Sequence, residues 1–443
     1  MLKSRLCIAF FAFAVGCAPA QKPLTDYVNP MLGTATLWDS VDLGFKPTKR
    51  TWGAEVFPGS SLPNAMVQVS PVTKFHSGAG YQYEDSVIYG FTHTNKGHWN
   101  LCHIPLLPVT GTPTPGDYCS PFSHERESAA PGYYQVFLDR YGVDAQLSST
   151  LRCAFHKYTY PAGAAASLLA DLQRSNEHVR AWDIRKEGDN VFAGWQQTGE
   201  KMYFYAVANR PVTGIEPVVE GDREVRIVRF GEGDGALELR IGFSFVSEKN
   251  ARENLEAEML GKSFAEVRSE ATATWNDLLG RIRVEGGTER EKGLFYSSLY
   301  RSFLWPALRS DVNGEFTDVD GKVINPGFRY YTGPSYWDDY RNKLILLGML
   351  APDVAADVIS SDTDKGEKRG GFMPTFFHGD HASAFVAGTY LRGNRGFDVN
   401  RAYNLVLRNA TVQGPSRPWL DEYIAKGYIS EMDVENPVTW TVC

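Results

Sequence analysis

The sequence of 443 residues has little cysteine and no long apolar run after its N-terminus. Six Cys without a Cys-x-x-Cys pair support neither a disulfide framework nor a structural zinc site. Cys102 and Cys119 could form one disulfide in an exported chain, but buried free thiols fit the pattern better. No segment beyond the N-terminus approaches 18 uninterrupted apolar residues, so the sequence predicts no transmembrane helix.

Several common functional motifs are also missing. The sequence has no GxxxxGK[ST], no GxGxxG between a strand and a helix, no GxSxG and no HExxH. The usual evidence for nucleotide binding, for a serine hydrolase and for a zinc protease is therefore absent. The net charge is −7 and no basic run stands out, so we expect no nucleic-acid partner. Hydrophobic residues make up 43% and charged residues 22%, which is typical of globular proteins and excludes disorder or a coiled coil as the main state.

Aromatic residues, in contrast, are abundant and make up 13% of the chain. Flat apolar rings with a polar edge suit the faces of sugars, and they suit the core of a β-sandwich equally well. The enrichment therefore does not decide between a binding function and a structural one.

The first twenty residues have the pattern of an export signal. Lys3 and Arg5 supply a positive start, and the apolar stretch at 6–15 is too short to span a bilayer. Two cleavage sites compete. Cleavage after Ala18-Pro19-Ala20 would release a soluble chain, whereas Ala14-Val15-Gly16-Cys17 resembles a lipobox in which Cys17 would carry a lipid anchor, and this second site is slightly favoured. We predict an exported bacterial protein, periplasmic or a lipoprotein of the outer membrane or cell surface.

Two regions with different patterns follow the signal. Residues 25–245 consist of alternating or β-branched runs broken at short intervals by Gly, Pro, Asn or Asp, which predicts a β-sandwich. Near residue 250 the composition shifts to helix formers, and helical periods recur from 289 onward. We therefore predict a β-sandwich domain at 24–248, a helical linker at 249–290 and a helical domain at 291–443.

Individual elements can be placed within these regions. The clearest predicted strands lie at 65–69, 133–138, 155–160, 224–228 and 236–246. The predicted helices lie at 251–260, 291–307, 337–349, 352–359, 383–391 and 400–409. Oligomeric state is not indicated by any of these patterns.

The histidines cluster in two places. His93, His98 and His103 have an even spacing of five residues, which does not put their side chains on one strand face and disfavours a metal triad. Their loop also holds Asn, Lys and Trp, so it could contact a ligand, and a well-packed turn explains the composition about as well. The segment 378–381 has an HxxH spacing, but a loop that lines a cleft is better supported there than a metal site.

The segment 336–341 is predicted to open a helix. Asp338 lies in its first turn, where the helix dipole favours a carboxylate, and Arg341 is within reach of a salt bridge three residues on. Capping and an ion pair explain both residues structurally. The functional alternative is that Trp337 and Asp338 face a cleft and hold a polyol there.

Several strings of the chain, taken in order, resemble glycoside hydrolase family 92, a family of calcium-dependent, exo-acting, inverting α-mannosidases. The first string reads Leu24-Thr25-Asp26-Tyr27-Val28-Asn29-Pro30, and a later one reads Gly371-Phe372-Met373-Pro374. Each string alone is weak evidence, whereas the ordered set is specific. The full set lies at 24–34, 57–59, 66–71, 80–83, 90–94, 131–134, 295–301, 337–338 and 371–374.

The resemblance implies a fold, an activity and a set of site residues. It implies an N-terminal β-sandwich, a helical linker and an (α/α)6 barrel, which would be incomplete here at 291–443. It also implies hydrolysis of α-mannosides with inversion, most simply of α-1,2 linkages, mannose-containing glycans as partners, and Ca²⁺ as cofactor. The substrate-binding residues that it implies are Gly59, His93, Trp337, Asp338 and Arg341, the last as an orienting residue.

Two departures from the family pattern limit this expectation. The family's Asn-Glu-Pro-Ser-His-like string, which carries the acid Glu, and its later Gly-Asp-rich string, which carries the base Asp, are both absent. Fewer than 200 residues follow position 250, about half of what twelve helices with connections need. We therefore expect a truncated chain, inactive by itself, whose acid, base and calcium ligands lie beyond residue 443. A non-catalytic carbohydrate-binding protein and a polysaccharide lyase are the alternatives.

The family strings also differ locally. The segment 95–99 and the pair Phe75-His76 depart from the usual residues at loops that resemble substrate contacts. We therefore expect the sugar on the leaving-group side to differ from mannose.

Overall fold

The computed structural model describes residues 22–36, 44–46, 56–96, 99–375, 379–415 and 417–430. The predicted export signal, with Cys17, lies outside these residues. Within them, strands dominate up to Ser244 and helices dominate from Glu248 onward. A β-sandwich followed by a helical domain is therefore confirmed, and the change falls where the composition shifts.

The described strands are short in the loops and long in the two main sheets. In chain order they are β1 Ser60–Ser61, β2 Gln68–Val72, β3 Val87–Ile88, β4 Gly90–Thr92, β5 Asn95–Lys96, β6 Trp99–Asn100, β7 Leu106–Val109, β8 Ser120–Pro121, β9 Glu127–Ala130, β10 Tyr133–Leu138, β11 Val143–Ser149, β12 Cys153–Thr159, β13 Ser167–Ala170, β14 Ala181–Gly188, β15 Val191–Gln197, β16 Lys201–Ala208, β17 Val212–Glu220, β18 Arg223–Phe230, β19 Leu237–Ser244, β20 Phe316–Thr317 and β21 Val323–Ile324.

Two antiparallel sheets face each other across a shared apolar core. One has the strand order β1-β2-β4-β7-β13-β18-β17, and the other has the order β14-β15-β16-β19-β12-β11-β10-β9. Along β16 every second residue is buried, among them Met202 and Phe204. Because successive side chains of a strand point to opposite faces, this alternation aims one face of the sheet at the core.

The described helices follow in three groups: α1 Glu248–Glu258 and α2 Phe264–Leu279, then α3 Glu289–Ser302, then α4 Tyr336–Asp339, α5 Lys343–Leu350, α6 Pro352–Lys368, α7 His381–Leu391, α8 Val399–Thr411 and α9 Leu420–Lys426. Capping boxes begin two of them. The Ser263 and Glu266 side chains cap α2, and those of Thr288 and Glu291 cap α3, so each pair satisfies amides that helix ends leave free.

The predicted single helix at 337–349 is wrong. It breaks after Asp339 and starts again at Lys343, because the Asn342 side chain accepts the Lys343 N–H and begins a new helix. The helix predicted at 352–359 continues to Lys368. Hydroxyl groups in its polar second half bond back to carbonyls one turn earlier, as Thr363 does to Ile359, so the polar residues do not end it.

The sandwich is joined to the helical domain by a buried hydrogen-bond seam. The side chain of Asn64 donates to the carbonyl of Pro306 at 2.8 Å, and the side chain of Gln68 donates to that of Leu304 at 3.1 Å. The indole of Trp275 on α2 donates to the carbonyl of Ser61 at 2.7 Å. All three bonds cross between segments more than 200 residues apart. The first two fix the turn after α3 against the first strands, and the third fixes α2 there.

A buried carboxylate makes a second junction. Asp311 accepts from the Ser244 hydroxyl at 2.6 Å and from the amides of Asn250 at 2.9 Å and Asn254 at 2.7 Å. These partners come from the end of β19 and from α1. The carboxylate therefore ties the last strand of the sandwich and the first helix to the segment beyond α3.

Two smaller expectations can be compared with the structure. Cys102 and Cys153 are buried free thiols, as predicted, whereas Cys119 is free but only half-buried, and no disulfide joins Cys102 to Cys119. Among the described residues, no single helix is long and apolar enough to cross a membrane; α5 and α6 reach that length and hydropathy only as a pair, and they meet at a bend of 118°.

Removing the Asp311 carboxylate should destabilise the fold. Asp311→Ala removes the acceptor of the Ser244 hydroxyl and of one N–H each of Asn250 and Asn254, so we expect the free energy of unfolding to fall by on the order of 3 kcal/mol in urea melts. Asp311→Asn keeps the shape and one acceptor oxygen and should cost less. Equal stability of Asp311→Ala and the unaltered chain would contradict this role.

Candidate functional site

A cavity of about 1440 Å³ lies where the sandwich meets the helical domain. It is larger than the about 300–1,000 Å³ typical of small-ligand sites. Acidic and basic side chains line it in equal number, which suits an uncharged polar ligand. The acidic residues are Glu177, Glu200, Asp318, Asp338, Asp339 and Asp362, and the basic residues are Lys201, Arg301, Arg309, Lys343, Lys365 and Arg369.

Asp338 is the predicted site residue that lines this cavity. It lies in the four-residue helix α4, and its carboxylate accepts a short hydrogen bond from the Ser335 hydroxyl. Its backbone N–H donates to the Ser335 carbonyl at 3.0 Å. The carboxylate is therefore held in place at the cavity wall and keeps lone pairs for a ligand.

A network of buried hydrogen bonds holds the helix that carries Asp338 against α6. The Tyr336 hydroxyl donates to the Asp362 Oδ2 at 2.5 Å. Lys365 Nζ lies 2.8 Å from Asp362 Oδ1 and donates to the Tyr331 carbonyl at 3.0 Å. Burial and the neighbouring Asp362 charge raise the pKa of Tyr336 well above its usual value, so its hydroxyl keeps its proton and stays a donor.

Trp337 and Arg341 lie beside this point without lining the cavity. The Trp337 side chain is 42% exposed. Arg341 Nε donates to the Tyr340 hydroxyl at 2.8 Å, and no ion pair within 4 Å joins its guanidinium to Asp338. The expected salt bridge does not form because α4 ends at Asp339, so Arg341 is not on the same helical turn. Their predicted contacts with substrate stay predictions.

Gly59 lies next to Phe57, which lines the cavity. A Cβ at position 59 would stand 2.1 Å from the carbonyl oxygen of Val69 and 2.5 Å from the Cα of Ser70. No side chain fits there, so glycine is required by the close approach of β2. A contact between the Gly59 backbone and substrate stays a prediction.

His93 is fully buried between the two sheets, and the expectation that it contacts a sugar does not agree with this position. Its Nε2 lies 3.0 Å from Nε2 of His156, and its ring packs 4.6 Å from that of Phe243. Burial lowers the pKa of His93 to about 3 and also lowers that of His156, so the pair is neutral in the fold. The well-packed structural interpretation is the one that fits.

The second histidine cluster gives no metal site in the described part of the chain. His381 stacks on the Tyr340 ring at 4.0 Å, and Asp380 caps α7 through Ser383. His378 lies outside the described residues. Nowhere in the described ranges do three His, Cys, Asp or Glu side chains form a group that could hold a metal ion.

Important cavity residues were missed by sequence analysis. Glu177 and Glu200 come from sandwich loops, and Asp362 and Lys365 come from the middle of α6. Single charged residues in loops and on a polar helix face carry no local signal. No motif links these positions along the sequence, and only the folded structure brings them together.

Two family models match the chain. The model described as the glycosyl hydrolase family 92 N-terminal domain matches residues 27–253, and the model of the family's catalytic domain matches residues 250–442. The chain belongs to glycoside hydrolase family 92. The resemblance found in the sequence strings is thereby confirmed, and the two matches meet where the strands give way to helices.

Known relatives support the same family and the same fold. A family 92 α-mannosidase from Bacteroides thetaiotaomicron is 26% identical, and its structure superposes with a TM-score of 0.81 over 91% of this chain and 58% of its own. An inverting mannosidase of the family from the same organism shares the fold at 24% identity, with a TM-score of 0.81 over 93% of this chain and 59% of its own. An uncharacterized secreted glycosidase of Arthroderma benhamiae is 24% identical over 92% of this chain and 56% of its own length. The family 92 chain described here thus spans little more than half the length of these relatives.

The buried histidine pair predicts acid sensitivity. In the unfolded chain both histidines titrate near pH 6.5, so below that pH the unfolded state binds more protons than the folded state. The free energy of unfolding should fall as the pH drops from about 6.5 towards 3, by about 1.4 kcal/mol per pH unit for His93, and His156 should add to the fall in the same direction. Urea melts at several pH values measure this slope. His93→Gln should reduce it, and an unchanged slope would contradict the assignment.

Proposed function

We propose that this chain forms the sugar-binding part of an exo-acting, inverting α-mannosidase that acts on mannose-containing glycans, with α-1,2-linked mannose as the first substrate to test. Family membership supports the reaction class. One of the Bacteroides thetaiotaomicron α-mannosidases has a structure in complex with mannoimidazole. The observation that carries the proposal is the Asp338 carboxylate, fixed at the wall of an interdomain cavity with balanced charge.

The cavity offers the two kinds of contact that a pyranose ring needs. Asp338 accepts hydrogen bonds from sugar hydroxyls, and a charge-assisted bond of this kind is stronger than a neutral one. The half-buried Tyr203 and Phe245 on the sandwich wall supply apolar surface for a ring face. Recognition thus uses both domains.

Hydrolysis with inversion needs two carboxyl groups about 6.5–9.5 Å apart, one to protonate the leaving group and one to activate water. The family strings that carry these groups are absent from the 443 residues. We therefore propose that this chain, by itself, binds α-mannosides without cleaving them. In the whole enzyme the acid Glu and the base Asp would come from the two family segments that these residues lack.

We propose Ca²⁺ as a cofactor of the whole enzyme, but the described residues do not supply a suitable set of ligands for it. They contain no group of three acidic or histidine side chains arranged around one point. Calcium is usually bound by six to eight oxygen ligands. We derive no step through the ion, and we assign its ligands to residues other than those described.

The main alternative is a non-catalytic carbohydrate-binding protein. The same missing strings favour it, and sugar binding alone does not separate it from a mannosidase part. Hydrolysis of an aryl α-mannoside by a chain extended with the family segments that carry the acid and the base would favour the enzyme. Export, with Cys17 as a lipid anchor, completes the proposal; the Arthroderma benhamiae relative is described as secreted.

Asp338→Asn should weaken binding of methyl α-mannoside by about tenfold, because a charged acceptor is replaced by a neutral one. Calorimetry with the full chain measures this, and methyl α-glucoside tests selectivity. Asp234→Asn, at an exposed carboxylate away from the cavity, is the matched control and should bind normally. No binding by the unaltered chain, or equal binding by Asp338→Asn, would reject the proposal.

Removing metal should leave sugar binding by this chain unchanged. Because the described residues contain no group of three His, Cys, Asp or Glu side chains that could hold a metal ion, we expect EDTA to alter neither the methyl α-mannoside affinity nor the melting temperature. Calorimetry and thermal melts before and after chelation test this expectation. A clear loss of affinity that added Ca²⁺ restores would show that the chain holds the ion after all.

A further inference from the structure

A strained turn fixes one histidine of the sandwich beside the cavity. The residues on both sides of His103 have left-handed backbone, with φ of 52° at Cys102 and 53° at Ile104. This conformation is unfavourable for a branched residue such as isoleucine, and it persists only where its surroundings impose it. Gln196 does so, because its side-chain oxygen accepts the Ile104 N–H at 2.8 Å.

The buried His103 is part of a short relay that ends in the cavity. Its Nδ1 lies 2.8 Å from the Thr94 hydroxyl, and its Nε2 lies 3.0 Å from the Thr198 hydroxyl. Thr198 donates its single proton to Glu177 Oε2 at 2.5 Å. The Thr198 oxygen therefore accepts from His103, which places the imidazole proton on Nε2.

Glu177 is where this relay meets the cavity. Its side chain is 41% exposed, it lines the cavity, and its Oε2 lies 3.4 Å from His103 Nε2. The closeness of His103 is the main reason that the pKa of Glu177 falls to about 2, and the hydrogen bond from Thr198 lowers it further. The group is therefore a fixed anion at any pH at which the protein would work.

A purely structural role for Glu177 would be to hold its own loop, and other bonds already do so. The Ser175 hydroxyl donates to the Leu101 carbonyl at 2.6 Å, and the Asn176 N–H donates to the same carbonyl at 3.0 Å. Gln196 donates to the Arg174 carbonyl at 2.9 Å. The contacts with His103, Thr198 and the Gly199 N–H thus fix the direction of one carboxylate, on a loop that other bonds also hold.

We infer that Glu177 binds hydroxyl groups of a second sugar ring. Glu177 lines the cavity on the sandwich side, and Asp338 lines it on the side of the helical domain. His103 and Thr198 act as positioning residues for Glu177. This inference rests on the proposed function. The cavity exceeds the usual volume of a small-ligand site, so it has room for more than one ring. Oε2 already accepts from Thr198, and the carboxylate keeps further lone pairs for hydroxyls of such a ring. Glu177 thereby becomes a determinant of which disaccharide is accepted.

Calorimetry on the full chain with α-1,2-mannobiose and with methyl α-mannoside tests this assignment. The unaltered chain should bind the disaccharide more tightly than the monosaccharide. Glu177→Gln should weaken disaccharide binding about tenfold and leave methyl α-mannoside binding unchanged. Glu187→Gln, at an exposed carboxylate of the same sandwich outside the cavity, should change neither. Thermal melts confirm that each variant is folded.

The positioning role has its own readout. Thr198→Val removes the hydroxyl that aims Glu177 and should weaken disaccharide binding alone, and Thr198→Ser should restore it. Equal disaccharide affinity in the unaltered chain and Glu177→Gln, with both sugars bound, would overturn the assignment and leave the proposed function intact. Binding of neither sugar by the unaltered chain would overturn both. A disaccharide bound no more tightly than methyl α-mannoside would also overturn the second-ring site.

Discussion

The buried seam between the first strands of the sandwich and the turn after α3 is the constraint on which the rest of the structure depends. Asn64 and Gln68 are buried polar side chains in an apolar setting, and their amide nitrogens donate to carbonyls of the helical domain. Leaving such groups unpaired in the interior is costly. The two domains are therefore held at one relative position, and the cavity between them has walls that do not depend on a ligand.

Preorganised carboxylates on both walls follow from this constraint. Asp338 is aimed by Ser335 and by the anchored Tyr336, and Glu177 is aimed by Thr198 and His103. Groups fixed before binding lose little conformational entropy when a ligand arrives. The equal number of acidic and basic side chains around them keeps the cavity from favouring a charged ligand. A neutral polyol is the ligand that this combination suits.

Sequence patterns predicted the order of the domains because strand alternation and helix composition are local signals that burial reinforces. They failed where tertiary contacts decide. The motif around His93 was matched correctly to the family, but its spacing could not show that the ring packs against His156 and Phe243 in the core. The pairing of Asp338 with Arg341 assumed one helix, and the cap at Asn342 divides it. Glu177 carries no motif, and only the fold brings it to the cavity.

The central claim is that the interdomain cavity binds an α-mannoside through Asp338. A crystal structure of the full chain with methyl α-mannoside tests it most directly. The account predicts the sugar in this cavity, with a hydroxyl oxygen about 2.5–3.0 Å from an Asp338 carboxylate oxygen. A sugar bound elsewhere on the chain, or one in the cavity with Asp338 turned away from every hydroxyl, would contradict it.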